Sequence, residues 1–224
     1  DLNDQVVKVT YPNVGGETLG ILLYTYDSHQ RLTKVERQVG TTKTTLKPYT
    51  YLADGKVSST QENGITESYT YDEFDRMLTK TYSVGGSVKE SHAYTYRKDS
   101  KLASETIVNN WPQSAAAKVN EKRVYTYDAA GQLKETVITD LSTGSVKSES
   151  AYDYDAVGNR TSEAITEGET RTLTEYTYNG LNQLTTEKHF SGSTEQEQIS
   201  YQYDANGNQI EKTEANANVR TVYT

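Results

Sequence analysis

Between regularly spaced turns the chain reads as short strands, and where apolar and polar residues alternate they follow the period-two pattern of a half-buried strand. From Thr79 to Ser83 and from Val88 to Tyr94 both arms run close to alternation around Gly85-Gly86, and no segment carries a convincing helical period. The pattern predicts antiparallel hairpins throughout. The alanine-rich stretch at 114–118 is far shorter than the roughly 12 to 15 residues an isolated helix needs.

One stretch, Tyr125-Thr126-Tyr127-Asp128-Ala129-Ala130-Gly131-Gln132-Leu133, recurs along the chain. Its two tyrosines fall on one face of a strand and the threonine between them on the other. The aspartate suits an Asx-type turn, and the glycine supplies the positive φ that reverses the chain. Tyr-x-Tyr pairs stand at Tyr24 and Tyr26, Tyr49 and Tyr51, Tyr69 and Tyr71, Tyr94 and Tyr96, Tyr125 and Tyr127, Tyr152 and Tyr154, Tyr176 and Tyr178, and Tyr201 and Tyr203. These eight copies are spaced 25, 20, 25, 31, 27, 24 and 25 residues apart and are the structural repeat residues, together with Gly55, Gly131, Gly158 and Gly207. A fixed period of this size marks a repeat architecture. Residues 1–224 are expected to be a single array of about eight repeats, with an incomplete ninth at 222–224, cut from a longer chain.

The departures are informative. Leu52 and Arg97 stand where the other turns carry Asp or Asn, while Gln30 and Ser100 stand at the positive-φ position without the tolerance of Gly, Asn or Asp. Those turns are expected to be strained or differently built. Arg160 and Gln209 replace the apolar residue that restarts the strand in the other copies. A second, variable turn lies midway between pairs, at Gly15-Gly16, Asn63-Gly64, Gly85-Gly86, Thr143-Gly144, Glu167-Gly168 and Ser191-Gly192, where a hairpin reversal belongs. The longest spacing holds the single tryptophan, Trp111, in an extended loop that either covers local apolar surface or contacts a partner.

Two strands per repeat give about 16 strands, or roughly 77 Å at 4.8 Å each, and sheets beyond about 10 strands curl. The expected fold is therefore all-β: tandem antiparallel β-hairpins forming one long coiled sheet. Successive tyrosine pairs on neighbouring strands are expected to pack as aromatic ladders.

Composition agrees. Only 33% of the residues are hydrophobic, yet 19 are Tyr against 2 Phe, so the apolar surface is mostly rings with a polar tip. A net charge of −8 argues against nucleic acid or an anionic membrane as partner. No apolar run is long enough to insert into a membrane as a helix. With no cysteine, disulfides and thiolate chemistry are excluded.

The runs Tyr125 to Leu133, Tyr152-Asp153-Tyr154-Asp155-Ala156-Val157-Gly158-Asn159-Arg160-Thr161 and Tyr201-Gln202-Tyr203-Asp204-Ala205-Asn206-Gly207-Asn208-Gln209 resemble the YD repeats of Rhs and WapA-type bacterial proteins. The resemblance covers essentially the whole chain, and Arg160 and Gln209 match the family's Gly-Asn-Arg-Thr flavour. It implies hairpins spiralling into a hollow shell, as in toxin-complex C components and teneurins, and in bacterial members a shell enclosing a C-terminal toxin released by self-cleavage. The conserved segment that closes such shells, and the toxin itself, have no counterpart in these residues. The implied partners are neighbouring repeats and an encapsulated toxin domain; the implied location is extracellular or on the bacterial surface.

Candidate chemistry is sparse. His29, His92 and His189 share no metal-ligand spacing and no nucleophile motif, so the expectation is a chain that is not an enzyme and holds no cofactor. Asp204, Asn206 and Asn208 resemble the start of a calcium loop, but are also what a YD turn uses for its own hydrogen bonds. Asn159-Arg160-Thr161 forms an N-glycosylation sequon that coincides with the repeat flavour. The competing functional class is a surface adhesin or fibre whose tyrosine face or Trp111 loop binds glycans, cells or copies of itself. Open sheet edges would favour self-association.

Overall fold

The computed structural model of the chain describes residues 5–11, 20–111 and 119–223; the Gly15-Gly16 turn, the alanine-rich 114–118 and Thr224 lie outside the described residues. The strands are β1 (Lys8–Thr10), β2 (Ile21–Tyr26), β3 (Leu32–Val39), β4 (Thr42–Tyr51), β5 (Val57–Glu62), β6 (Ile65–Tyr71), β7 (Met77–Val84), β8 (Ser87–Tyr96) and β9 (Leu102–Asn109). There follow β10 (Glu121–Tyr127), β11 (Leu133–Asp140), β12 (Val146–Tyr154), β13 (Arg160–Glu167), β14 (Thr170–Tyr178), β15 (Leu184–Ser191), β16 (Thr194–Tyr203), β17 (Gln209–Glu214) and β18 (Val219–Val222). The protein is all-β, as the alternation predicts.

The chain divides into two compact units, residues 1–94 with 106–119 and residues 95–105 with 120–224. In the first, β1 to β8 form an antiparallel meander in which each strand pairs with the next in sequence. In the second, β10 to β18 do the same.

In seven of the eight pairs the second tyrosine sits at a register shift. Thr25 faces Lys34 but Tyr26 faces Leu32, so one residue of the following strand is left unopposed, and the same step recurs at Tyr51, Tyr71, Tyr127, Tyr154, Tyr178 and Tyr203. Such a bulge follows from a three-residue turn whose last member is left-handed. It preserves the alternation up to the turn. All sixteen paired tyrosines are half-buried, while the residue between each pair is exposed.

Burial is shallow throughout the described residues. Among the described apolar residues only Ile107 and Ile199 are buried, each 8% exposed. The paired tyrosines are half-buried rather than buried, so their polar tips need partners.

Candidate functional site: the seam between repeats

Each repeat begins with a turn whose bonds are set by its first residue. The Asp27 carboxylate accepts the backbone N–H groups of His29 and Arg31 at 2.8 and 2.9 Å, and Asp155 accepts those of Val157 and Asn159 at 3.0 and 2.8 Å. Asn179 does the same with its carbonyl toward Leu181 and Gln183. These bonds hold the Asp27 carboxyl below its usual range, chiefly through the Arg31 N–H; Asp155 and Asp204 are lowered chiefly by the side chains of Asn159 and Asn208.

The irregular copies turn out to use the same scaffold. Gln30 and Ser100 adopt φ 64°, close to the 60° of Asn182, and donate to the carbonyls of Asp27 and Arg97 as Gly131 does to Asp128. They are strained for their residue type, but not differently built. Where Leu52 and Arg97 replace the aspartate, an aspartate two positions later takes over. Asp54 accepts the Lys56 N–H at 3.1 Å, and Asp99 accepts that of Lys101 at 3.4 Å.

The second tyrosine links repeats. Its hydroxyl crosses to the preceding repeat and donates to the main-chain carbonyl of the residue that restarts the strand there: Tyr51 to Leu32, Tyr71 to Val57, Tyr127 to Leu102, Tyr154 to Leu133, Tyr178 to Arg160 and Tyr203 to Leu184, at 2.5–3.0 Å. Tyr26 reaches Val6 in the same way. The first tyrosine instead meets side-chain charge. Tyr69 donates to Glu67 and Tyr176 to Glu163, while Lys80 lies 5.8 Å from the Tyr69 ring and Arg160 5.1 Å from that of Tyr176. Burial, aided by Glu187, pushes the Tyr201 hydroxyl up to about 12.

A third link comes from the residue just before each strand restart. In the first four copies it is a cation, Arg31, Lys56, Arg76 or Lys101; in the last four it is an amide, Gln132, Asn159, Gln183 or Asn208. Arg31 lies 4.6 Å from the ring centre of Tyr51, Lys56 pairs with Asp75 at 2.5 Å, and Lys101 lies 5.9 Å from that of Tyr127. The amides bond to the next turn, Gln132 to the Gly158 carbonyl at 3.2 Å and Asn159 to Asn182 at 3.1 Å. Gly131 is needed for its backbone rather than for space, since the contact a side chain would make is with the movable end of Lys101. Its φ is 82°, and a Cβ there would lie 2.7 Å from the Lys101 Nζ.

The remaining candidates are absorbed into this framework. Trp111 is tied down: its indole N–H donates to Glu90 at 3.1 Å, Asn109 donates to the same oxygen at 3.3 Å, and the His92 ring lies 2.9 Å from the other. Tyr82 and Tyr94 each contact the His92 ring. His29 lies beside Ser28, and His189 beside Thr174 and Glu187. Asp204, the calcium candidate, accepts the N–H groups of Asn206 and Asn208 and the Asn208 amide, at 2.8–2.9 Å, so its oxygens already serve the turn. Asn159, the sequon residue, donates to Asp155 as well as to Asn182. Among the described residues no group of three His, Cys, Asp or Glu side chains is placed to hold a metal ion. Sequence reasoning missed both the hydroxyl-to-carbonyl bonds and the cation-or-amide position, although the latter recurs visibly at a fixed offset from each tyrosine pair.

Residues 3–89 match the family described as Teneurin YD-shell. No curated protein matches the chain in sequence. Among solved structures, the crystal structures of TcdB2-TccC3-TEV and of TcdB2-TccC3 without its hypervariable C-terminal region are each similar to this chain with a TM-score of 0.67 at 17% identity, covering 92% of it and 11% of their own length. The Photorhabdus luminescens Tc holotoxin pore is similar at a TM-score of 0.54 and 16% identity, over 92% of this chain and 13% of that one. The likeness is one of fold, and the chain spans only 11 to 13% of the chains it matches. Residues 3–89 thus match the Teneurin YD-shell family, and over 92% of the chain the fold is similar to that of the TcdB2-TccC3 structures.

Proposed function

We propose that this array is a non-catalytic stretch of wall in a larger, secreted or surface-delivered protein, where it helps to enclose or present a C-terminal toxin domain. The observation that carries the reading is the series of tyrosine hydroxyls bonded to the preceding repeat, from Tyr51–Leu32 to Tyr203–Leu184. These bonds spend the most distinctive residues of the sequence on cohesion between hairpins rather than on a pocket. Stability in such arrays is nearly a sum over neighbours, which suits a wall.

The test uses the full-length parent protein. Limited proteolysis should leave the region after the array intact, and should cut it faster once Tyr154→Phe and Tyr178→Phe loosen two adjacent seams. Equal cleavage of that region with and without the substitutions would sink the encapsulation reading. The exposed turn tips Phe74, Val157 and Leu181, 66, 70 and 76% exposed, favour a second reading, an adhesive module that meets glycans, cells or copies of itself. That reading requires binding to cell surfaces that Leu181→Ser weakens.

A further inference from the structure

The shortest repeat, 20 residues from Tyr49 to Tyr69, leaves a strand edge bare inside the first unit. The β5–β6 hairpin reverses at Asn63-Gly64, because Glu62 already faces Ile65. The preceding β3–β4 hairpin runs further before it reverses at Gly40-Thr41, with Val39 facing Thr42. β4 pairs with β5 only through Tyr49 to Tyr51, whereas it pairs with β3 from Thr42 to Pro48. Among the described residues no strand lies against the other side of Thr42–Leu46, and all five of these residues are exposed.

The backbone chemistry of that edge is specific. Val39 and Thr42 flank a two-residue turn and form the closing hydrogen-bonded pair, so by antiparallel alternation Arg37–Thr44 is the next hydrogen-bonded pair. Lys43 and Thr45, opposite Gln38 and Glu36, then point their N–H and C=O groups away from β3. These two residues present a donor–acceptor row that a further strand can complete. A groove of about 390 Å³ lies at the foot of this row, between Thr44, Thr45 and Leu46 on one side and Glu62, Asn63 and Gly64 on the other.

Charge narrows the occupant. From Arg37 to Lys47 the sequence holds three cations, Arg37, Lys43 and Lys47, and no carboxylate, in a chain of net charge −8. Lys47 and the nearby Glu62 pair at 3.1 Å and offset each other, which leaves Lys43 as the cation on the bare edge itself. We infer that the Thr42–Thr45 edge of β4 is a docking site for an extended, acidic polypeptide segment of a partner, which adds to the sheet as a strand. Main-chain bonds to Lys43 and Thr45 supply the pairing, and the basic hairpin tip selects acidic side chains.

The test titrates the whole chain with a fluorescein-labelled peptide of alternating Val and Glu, and with a matched peptide of alternating Val and Lys. The acidic peptide should bind and slow amide exchange at Lys43 and Thr45 on the order of tenfold, while Thr44, already bonded to β3, changes little. Thr45→Pro removes an outward N–H and no bond to β3, and should weaken binding about tenfold. Lys43→Glu should do the same at low salt, and covers the case in which the proline variant fails to fold. Equal binding of both peptides, or unchanged exchange at saturation, overturns the proposal. Protection that rises with protein concentration alone also overturns it, because the occupant would then be a second copy.

Discussion

The tyrosine hydroxyls do different work at the two positions of a pair, and substitution should separate them. Tyr154 donates to the Leu133 carbonyl at 2.8 Å, whereas Tyr152 has its ring beside the Arg160 guanidinium at 5.7 Å. Tyr154→Phe should lower unfolding stability by about 1 kcal/mol, the net worth of a hydrogen bond. Tyr152→Phe keeps the ring and should lower it by less; urea titrations of the two variants read the difference. Gln30 offers the opposite case, a left-handed residue with φ 64° and a β-carbon. Gln30→Gly removes a steric penalty of roughly 1–2 kcal/mol and adds unfolded-state entropy worth about 0.4–1 kcal/mol. The expected result is a net gain below about 1.5 kcal/mol, seen as a higher urea midpoint.

At the level of the turn and its two strands, acid should act unevenly. The carboxyls of Asp155 and Asp204 are held low by the side chains of Asn159 and Asn208 and by backbone N–H groups. A depressed native value means that these bonds contribute their full stability above the unfolded carboxylate range, near about 3.9, and lose it as pH falls through the lower native value. The turn at Asn179 has the same geometry but no titrating group at that position. Protection factors at Val157 and Asn159 should therefore fall in acid while those at Leu181 and Gln183 hold, and Asp155→Asn should abolish the contrast. Equal acid loss at both turns would contradict this account. The turn was largely legible in the sequence, because Asp, Gly and a two-residue period each act through local geometry. The takeover by Asp54 and Asp99 was not read, since it needs the turn's N–H groups in space rather than one aligned position. The hydroxyl acceptors were hidden for another reason: a main-chain carbonyl has no letter of its own, and it lies one repeat back. Likewise the 20-residue spacing was visible, but the bare edge of β4 required the register of three hairpins.

For the molecule as a whole, the exchange of cations for amides before the strand restart makes the array electrostatically uneven. Arg31, Lys56 and Arg76 pair with turn aspartates in the first unit, whereas Gln132, Asn159 and Gln183 make neutral bonds in the second. Salt near 1 M, with a screening length of roughly 3 Å, should lower amide protection at Arg31 and Arg76 and leave Gln132 and Gln183 unchanged. Uniform loss along the array would remove the distinction. The seam bond itself has no such preference. Its acceptor is supplied by Leu32, Val57, Leu102 or Arg160 alike, because every amino acid carries a carbonyl. A duplicated, deleted or transplanted hairpin thus finds its socket ready without a matching substitution next door. Unequal recombination can change the number of hairpins in one step, and spacings from 20 to 31 residues show how much cargo of loop each hairpin can carry while the joint stays the same.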